Sequence, residues 1–544
     1  MGLERLVAAC LVLLLCAGDV FAAVIKKDDT PSVNLGYEIH TGTLNATGDY
    51  YTFSNIPYAQ QPVDNLRFAL PQPIVGNSSV VTNGGRDKIC YQAYPGWIIG
   101  LYQSGTGLSY LDQLKALVNA AGQTEACLLL DVRVPVSVFE KGSSAEAPVI
   151  VYIHGGGFTF GSKNSDGNPA GLIARSQADG GDPAIVVTIN YRLGLFGWLA
   201  GAEGLVPNLG LYDQRMALDW VQNYIARFGG APSRVTVMGE SAGASSIVHQ
   251  ITAFGGLVPA PFAQAIPQSP AFQINIDFEE VFQMTTEAAS AETNTTVNCV
   301  MDLKQLSSAT LKSVNQAVVY PANTGSFNFG PGPDGTFVPK LPQVLLQEGA
   351  FNHDVKLLIS HTSNESVPFT PTDISTASDV RQLVEQNFPE ASEATVNTML
   401  TDIWPDVLDG TYPWTTEFAR AVQIGTEVSF SCITGYLGVA FGNVTHNYIF
   451  GVGTGYHAAD LSYTFYNGDT SSVISAELAE EHQDYIVQFA RTGNPNEDGL
   501  PEFPEYGDES TVLELTDSGF NTTIDAVRNY RCDWIQQAMV DGLI

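Results

Sequence analysis

Residues Arg234-Val235-Thr236-Val237-Met238-Gly239-Glu240-Ser241-Ala242-Gly243 run from a β-branched stretch, through a serine set between glycines, into a segment free of helix breakers as far as His249. The pattern reads as a strand, a sharp turn and a helix, with Ser241 on the turn. Such a turn brings backbones close together, which glycine tolerates because it has no Cβ. It leaves the serine oxygen exposed at a helix N-terminus, where the dipole and free N–H groups favour developing negative charge. Working outward, Val- and Ile-rich runs recur at 149–154, 184–190, 355–360 and 448–452. Runs of that length and composition suit strands of a mostly parallel sheet covered on both faces. Between them, residues 213–228 place Met216, Trp220, Val221, Tyr224 and Phe228 at helical spacing before Gly229-Gly230. Further helices are expected at Phe278–Thr293, 380–387, 390–402, 416–430 and Ala476–Thr492. The chain carries no internal repeat or long low-complexity linker. Residues 23–544 therefore read as one α/β domain: a large, mostly parallel central sheet, helices on both faces, and helical insertions.

A serine hydroxyl is a weak nucleophile near neutral pH and needs a base, itself oriented by a buried acid. Of eight histidines, His457 stands downstream of Ser241 in a glycine-bearing loop, directly after the strand expected at 448–452. Loops beyond the carboxyl ends of parallel strands are where such sheets collect their catalytic groups. Glu365 follows the strand expected at 355–360 and falls between Ser241 and His457 in the chain, the order nucleophile, acid, histidine. His154-Gly155-Gly156-Gly157-Phe158 follows the strand at 149–154. Its successive glycines leave amides open for an oxyanion, alongside the N–H of Ala242. A phosphate-binding reading fails, because no Lys-Ser/Thr pair follows these glycines.

The chain has 544 residues and a formal charge of −33. A field of that sign repels a phosphate backbone and excludes nucleic acid as a partner. Residues 1–22 have the charged start, short apolar core and small-residue end of a secretory signal peptide. No later stretch has the roughly 18 uninterrupted apolar residues of a membrane span. A secreted protein is expected, in keeping with glycosylation sequons at Asn45, Asn77, Asn294, Asn443 and Asn521. A sixth, at Asn364, adjoins the proposed acid and is expected to stay unmodified. Five cysteines remain after the leader: Cys90, Cys127, Cys299, Cys432 and Cys532. They allow two bridges and one leftover thiol.

With these motifs in place, the chain resembles the type-B carboxylesterase/lipase family, which includes cholinesterases and secreted fungal lipases and has the α/β-hydrolase fold. The likeness covers nearly all of the mature chain. It also rests on Phe53-Ser54-Asn55-Ile56-Pro57-Tyr58-Ala59, Leu66-Arg67-Phe68, Cys127-Leu128-Leu129-Leu130-Asp131-Val132 and Asn190-Tyr191-Arg192. The resemblance implies Ser241 as nucleophile, Glu365 as acid, His457 as base, and the amides of Gly156, Gly157 and Ala242 as oxyanion donors, with no metal or organic cofactor. The histidine match extends through Asp460-Leu461. After the acid the family usually has glycine, where Ser366 stands here. The likeness further implies bridges Cys90–Cys127 and Cys432–Cys532, with Cys299 a free, buried thiol.

The activity so implied is hydrolysis of carboxylic esters with an apolar acyl or alcohol group, through an acyl-enzyme. In related lipases the loop matching 91–126 is a lid, and its apolar residues Trp97, Ile98 and Ile99 suit that role here. An amphipathic helix packed permanently on the core is the alternative. Rival functions are an exported esterase dedicated to one secondary metabolite, or a cholinesterase-like adhesion domain. Ser241, Glu365 and His457 standing together argue against the last.

Overall fold

The computed structural model describes residues 30–103, 121–273 and 276–544. The expected leader at 1–22 and the 104–120 part of the expected lid lie outside the described residues.

A small sheet near the start joins β1 (Ser32–Asn34), β2 (Ile39–Thr41) and β5 (Val81–Thr82). Among the described residues the main sheet has eleven strands. In chain order they are β3 (Thr43–Asn45), β4 (Tyr50–Pro57), β6 (Leu129–Pro135), β7 (Ala147–Ile153), β8 (Ile185–Ile189) and β9 (Gly230–Glu240). Then come β10 (Gln264–Gln268), β11 (Lys356–Thr362), β12 (His446–Phe450), β13 (Thr511–Thr516) and β14 (Gly519–Ile524). Their spatial order is β14-β13-β12-β11-β10-β9-β7-β8-β6-β4-β3. From β8 to β13 every neighbour is parallel. The flanks at β3, β4, β6 and β14 are antiparallel.

Alternation along β7 shows how the sequence sets the two faces. Val149, Val151 and Ile153 turn to one side, where they meet Val235 and Val237 of β9. Over them lie Leu218 and Val221 of the helix Leu209–Tyr224 and Ile247 and Ile251 of the helix Ala242–Thr252. Ile150 and Tyr152 turn to the other side, with Val186, Met238 and Leu358, under Leu478, Ile486 and Phe489 of the helix Ala476–Thr492. Each large apolar side chain so buried contributes roughly 1.5–3 kcal/mol. All five strands expected from the sequence form, and the helices Phe278–Thr293 and Ala476–Thr492 keep their expected limits.

Cys90 is bonded to Cys127, with Cα atoms 5.0 Å apart, and Cys432 to Cys532, with Cα atoms 5.4 Å apart. Cys299 is free but exposed, which corrects the expected burial. It caps the helix Val300–Gln305, which buries Val300 and Leu303 and leaves its N-terminal rim in solvent. The sequon residues Asn45, Asn77, Asn294 and Asn521 are exposed, whereas Asn443 is half-buried and donates to Asp508 at 3.0 Å. Among the described residues no helix is long and apolar enough to cross a membrane.

Candidate active site

β7 and β9 are adjacent, but the chain continues from β7 to one side of the sheet and from β9 to the other. A crevice opens at such a switch point beyond the strands' carboxyl ends. Four loops leave those ends: the glycine loop after β7, Ser241 after β9, Glu365 after β11 and His457 after β12.

Ser241 has φ 56° and ψ −123°, a conformation that non-glycine residues rarely adopt. Its neighbours show why the turn needs glycine. A Cβ on Gly243 would lie 2.0 Å from the Ile153 carbonyl of β7, and one on Gly239 would lie 2.7 Å from the same oxygen. The Ser241 amide donates to Gln268 at the end of β10 (3.0 Å), tying the turn to the neighbouring strand. Ala242 then opens the helix, where the first amides lack intrahelical partners.

In the glycine loop, the Gly155 amide donates to Asp166 (2.9 Å). The next two residues, Gly156 and Gly157, border a cavity together with Ser241 and His457. Both have positive φ, 102° and 56°, which glycine adopts without strain.

Glu365 is fully buried. Its Oε1 accepts from the Thr362 amide (2.6 Å) and its Oε2 pairs with His457 Nδ1 (2.5 Å). Burial pushes the carboxyl up, but the His457 charge, its hydrogen bond, the Ser269 hydroxyl and the Thr362 amide outweigh that and hold it below the usual range. Backbone bonds clip the acid and histidine loops together. Ser363 donates to Phe450 (3.0 Å), Asn364 donates to Gly455 (2.8 Å), and Asn364 bridges Tyr456. The Asn364 side-chain nitrogen is engaged too, on the Thr454 carbonyl at 2.8 Å.

Phe369 and Phe430 flank the His457 ring at 5.1 and 4.8 Å between centroids. His457 borders the same cavity as Ser241, and its Nε2, the atom that a nucleophile's proton would reach, is buried with no hydrogen-bond partner among the described residues. Glu240 Oε1 lies 3.1 Å from that nitrogen. Burial, and then Asp460, Asp166 and Glu365 nearby, push the Glu240 carboxyl well above the ordinary range. Asp460 is raised to about 7, chiefly by burial and then by Glu365. Sequence reasoning missed this group of carboxyls, although Glu240 stands beside the nucleophile and Asp460 inside the quoted histidine motif. Nothing local to either residue shows that folding gathers them. Among the described residues no cluster of three ligating side chains could hold a metal ion.

The model of the "Carboxylesterase family" matches residues 35–423. The chain is 37% identical to "Carboxylesterase patB" of Penicillium expansum, over 94% of this chain and 96% of that protein. It is 30% identical to a "Secreted lipase" of Arthroderma benhamiae, over 77% of this chain and 83% of that one. The crystal structure of Aspergillus niger EstA superposes with a TM-score of 0.78 at 23% identity, covering 95% of this chain and 99% of EstA, which is a likeness of fold. The motifs, the α/β architecture and these relatives agree: the chain belongs to the carboxylesterase family, the carboxylesterase/lipase group of ester-hydrolysing enzymes.

Proposed function

We propose that the protein is an exported serine hydrolase that cleaves carboxylic esters through a covalent acyl-enzyme, with Ser241 as nucleophile, His457 as general base and acid, and Glu365 as the orienting acid. The observation that carries this reading is the buried 2.5 Å pair between His457 and Glu365, with His457 bordering the same cavity as Ser241. Bound to Glu365, Nδ1 keeps its proton, so Nε2 is the basic nitrogen. It takes the Ser241 proton as the oxygen attacks the ester carbonyl. The amides of Gly156, Gly157 and Ala242 receive the tetrahedral oxyanion. Collapse expels the alcohol, which leaves with the proton from Nε2, and water then repeats the sequence to free the acid. Export is supported by the leader-like first residues, the two bridges and the relation to a secreted lipase.

The test is hydrolysis of a panel of simple esters, followed by acid release, for the wild type and Ser241→Ala. Activity on part of the panel that falls by about 10³-fold or more in the variant is expected. Undiminished turnover by Ser241→Ala would remove the nucleophile.

A further inference from the structure

Two cavities open from Ser241, and they differ greatly in size. One, of about 60 Å³, is bordered by Gly156, Gly157, Ser241 and His457, with Ile98 and Phe160 in its wall. The other, of about 390 Å³, is bordered by Gly157, Ser241 and Ala242, without His457. It runs past Phe158 and Phe272 to Met284, Phe388 and Ile424. At roughly 10–15 Å³ per water, the smaller has room for only a few water-sized groups, whereas the larger takes a chain or ring system.

The chemistry of the proposed function, on which this inference rests, assigns the two spaces. When the tetrahedral intermediate collapses, the bond from the carbonyl carbon to the alcohol oxygen breaks. That oxygen must take its proton from His457 Nε2, so the alcohol half of the ester lies on the histidine side of Ser241, in the smaller cavity. The acyl half stays bonded to Ser241 and must point the other way, into the larger one.

The smaller cavity is also hard to enlarge. Phe160 stacks on Tyr94 at 5.4 Å and packs on Phe327 at 6.2 Å. Trp97 holds Phe327 at 5.5 Å and is itself anchored by its indole N–H on the Ser326 carbonyl (3.0 Å). Contacts of this kind fix ring positions beyond what area burial alone does. Asp166, also in the wall, is fixed in place by accepting from Tyr152 (2.8 Å), Gly155 (2.9 Å) and Ser165 (2.6 Å).

We propose that the enzyme is selective for esters of a bulky carboxylic acid with a short alcohol, the acyl group lying in the Phe272–Phe388 cavity and the alcohol against Ile98 and Phe160.

Methyl decanoate and nonyl acetate test this, because they are isomers with the large group on opposite sides of the ester. Acid release is measured for wild type and Phe160→Ala, with Phe160→Leu as a milder variant should the first fail to fold. Wild type is expected to favour methyl decanoate in kcat/KM by about ten-fold or more. Removing the ring at Phe160 is expected to narrow that ratio by admitting the nonyl group. Equal rates on the two esters, a preference for nonyl acetate, or a ratio unmoved in folded variants would overturn the assignment and leave the hydrolase reading standing. Hydrolysis of neither ester by an enzyme active on other esters of the panel would overturn the assignment alone, and no hydrolysis of any ester in the panel would sink both.

Discussion

Glu365 is held ionised inside the protein by a short list of neighbours, and its role depends on them. Replacing it by Gln keeps the shape but removes the charge that stabilises an imidazolium. We expect kcat to fall roughly 10³–10⁴-fold in Glu365→Gln, with KM changed little, measured on any ester the wild type accepts. One layer behind it sits His361. Its Nδ1 faces the Thr362 carbonyl at 3.0 Å and its Nε2 faces Asp525 at 3.3 Å, so both ring nitrogens must donate and the ring must be charged. Burial opposes that charge, but Asp525, the Thr362 carbonyl and Glu365 outweigh it and raise His361 to about 9. Tyr506 also donates to Asp525, with Arg528 near its ring. The folded value exceeds the ordinary 6.5, so the stabilisation is present in full below about pH 6.5 and is lost as pH rises through about 9. The double variant His361→Gln/Asp525→Asn should therefore melt below wild type at pH 6, on the order of 3 kcal/mol less stable, with the gap closing by pH 9.5. A gap that stays constant across that range would mean His361 is neutral. Of these site residues, Ser241, the glycine loop and His457 were legible because each carries a local pattern. His361, Asp525 and the Glu240–Asp460 group were not, since their meaning lies in partners far along the chain.

At the scale of elements, the elbow depends on the approach of the strand-to-helix turn to β7. An alanine at 243 has to place its Cβ against a backbone oxygen that cannot rotate away. Gly243→Ala is expected to cost about 3 kcal/mol and to lower activity by displacing Ser241, read as a drop in Tm together with kcat. A variant as stable and active as wild type would mean the turn has slack. The central strands were legible because residues buried on both faces make unbroken Val and Ile runs. β10 was not, because Gln264-Ala265-Ile266-Pro267-Gln268 buries two glutamines, whose side-chain nitrogens donate to the Phe489 carbonyl and to Tyr448 and Thr464. The helix expected to start at 213 starts at Leu209, because Gly210 acts there as a packing residue: a Cβ would lie 2.3 Å from the Trp198 ring. The helices expected at 390–402 and 416–430 each change to a wider π turn part-way, at Met399–Ile403 and Glu427–Ser431. The second brings Glu427 onto Arg531 (2.6 Å) and Trp404 (2.7 Å), tertiary contacts that no helical period announces.

Across the whole molecule, a charge of −33 keeps copies apart through their solvent-facing surfaces. The rims of the eleven-stranded sheet are a separate matter, because among the described residues β3 and β14 each end it with one side unpaired. Both strands carry exposed apolar side chains, Leu44 at 51% and Ile524 at 58%. Each also carries a sequon asparagine, Asn45 in the first and Asn521 in the second. Sugar trees grown at those two positions would stand like bumpers at opposite ends of the sheet, denying a second copy the straight lane it needs to lay a strand alongside. Protein made as Asn45→Gln/Asn521→Gln in a glycosylating host should then keep its melting point yet scatter more light on long storage at high concentration, and unchanged scattering would show that the rims need no such fender.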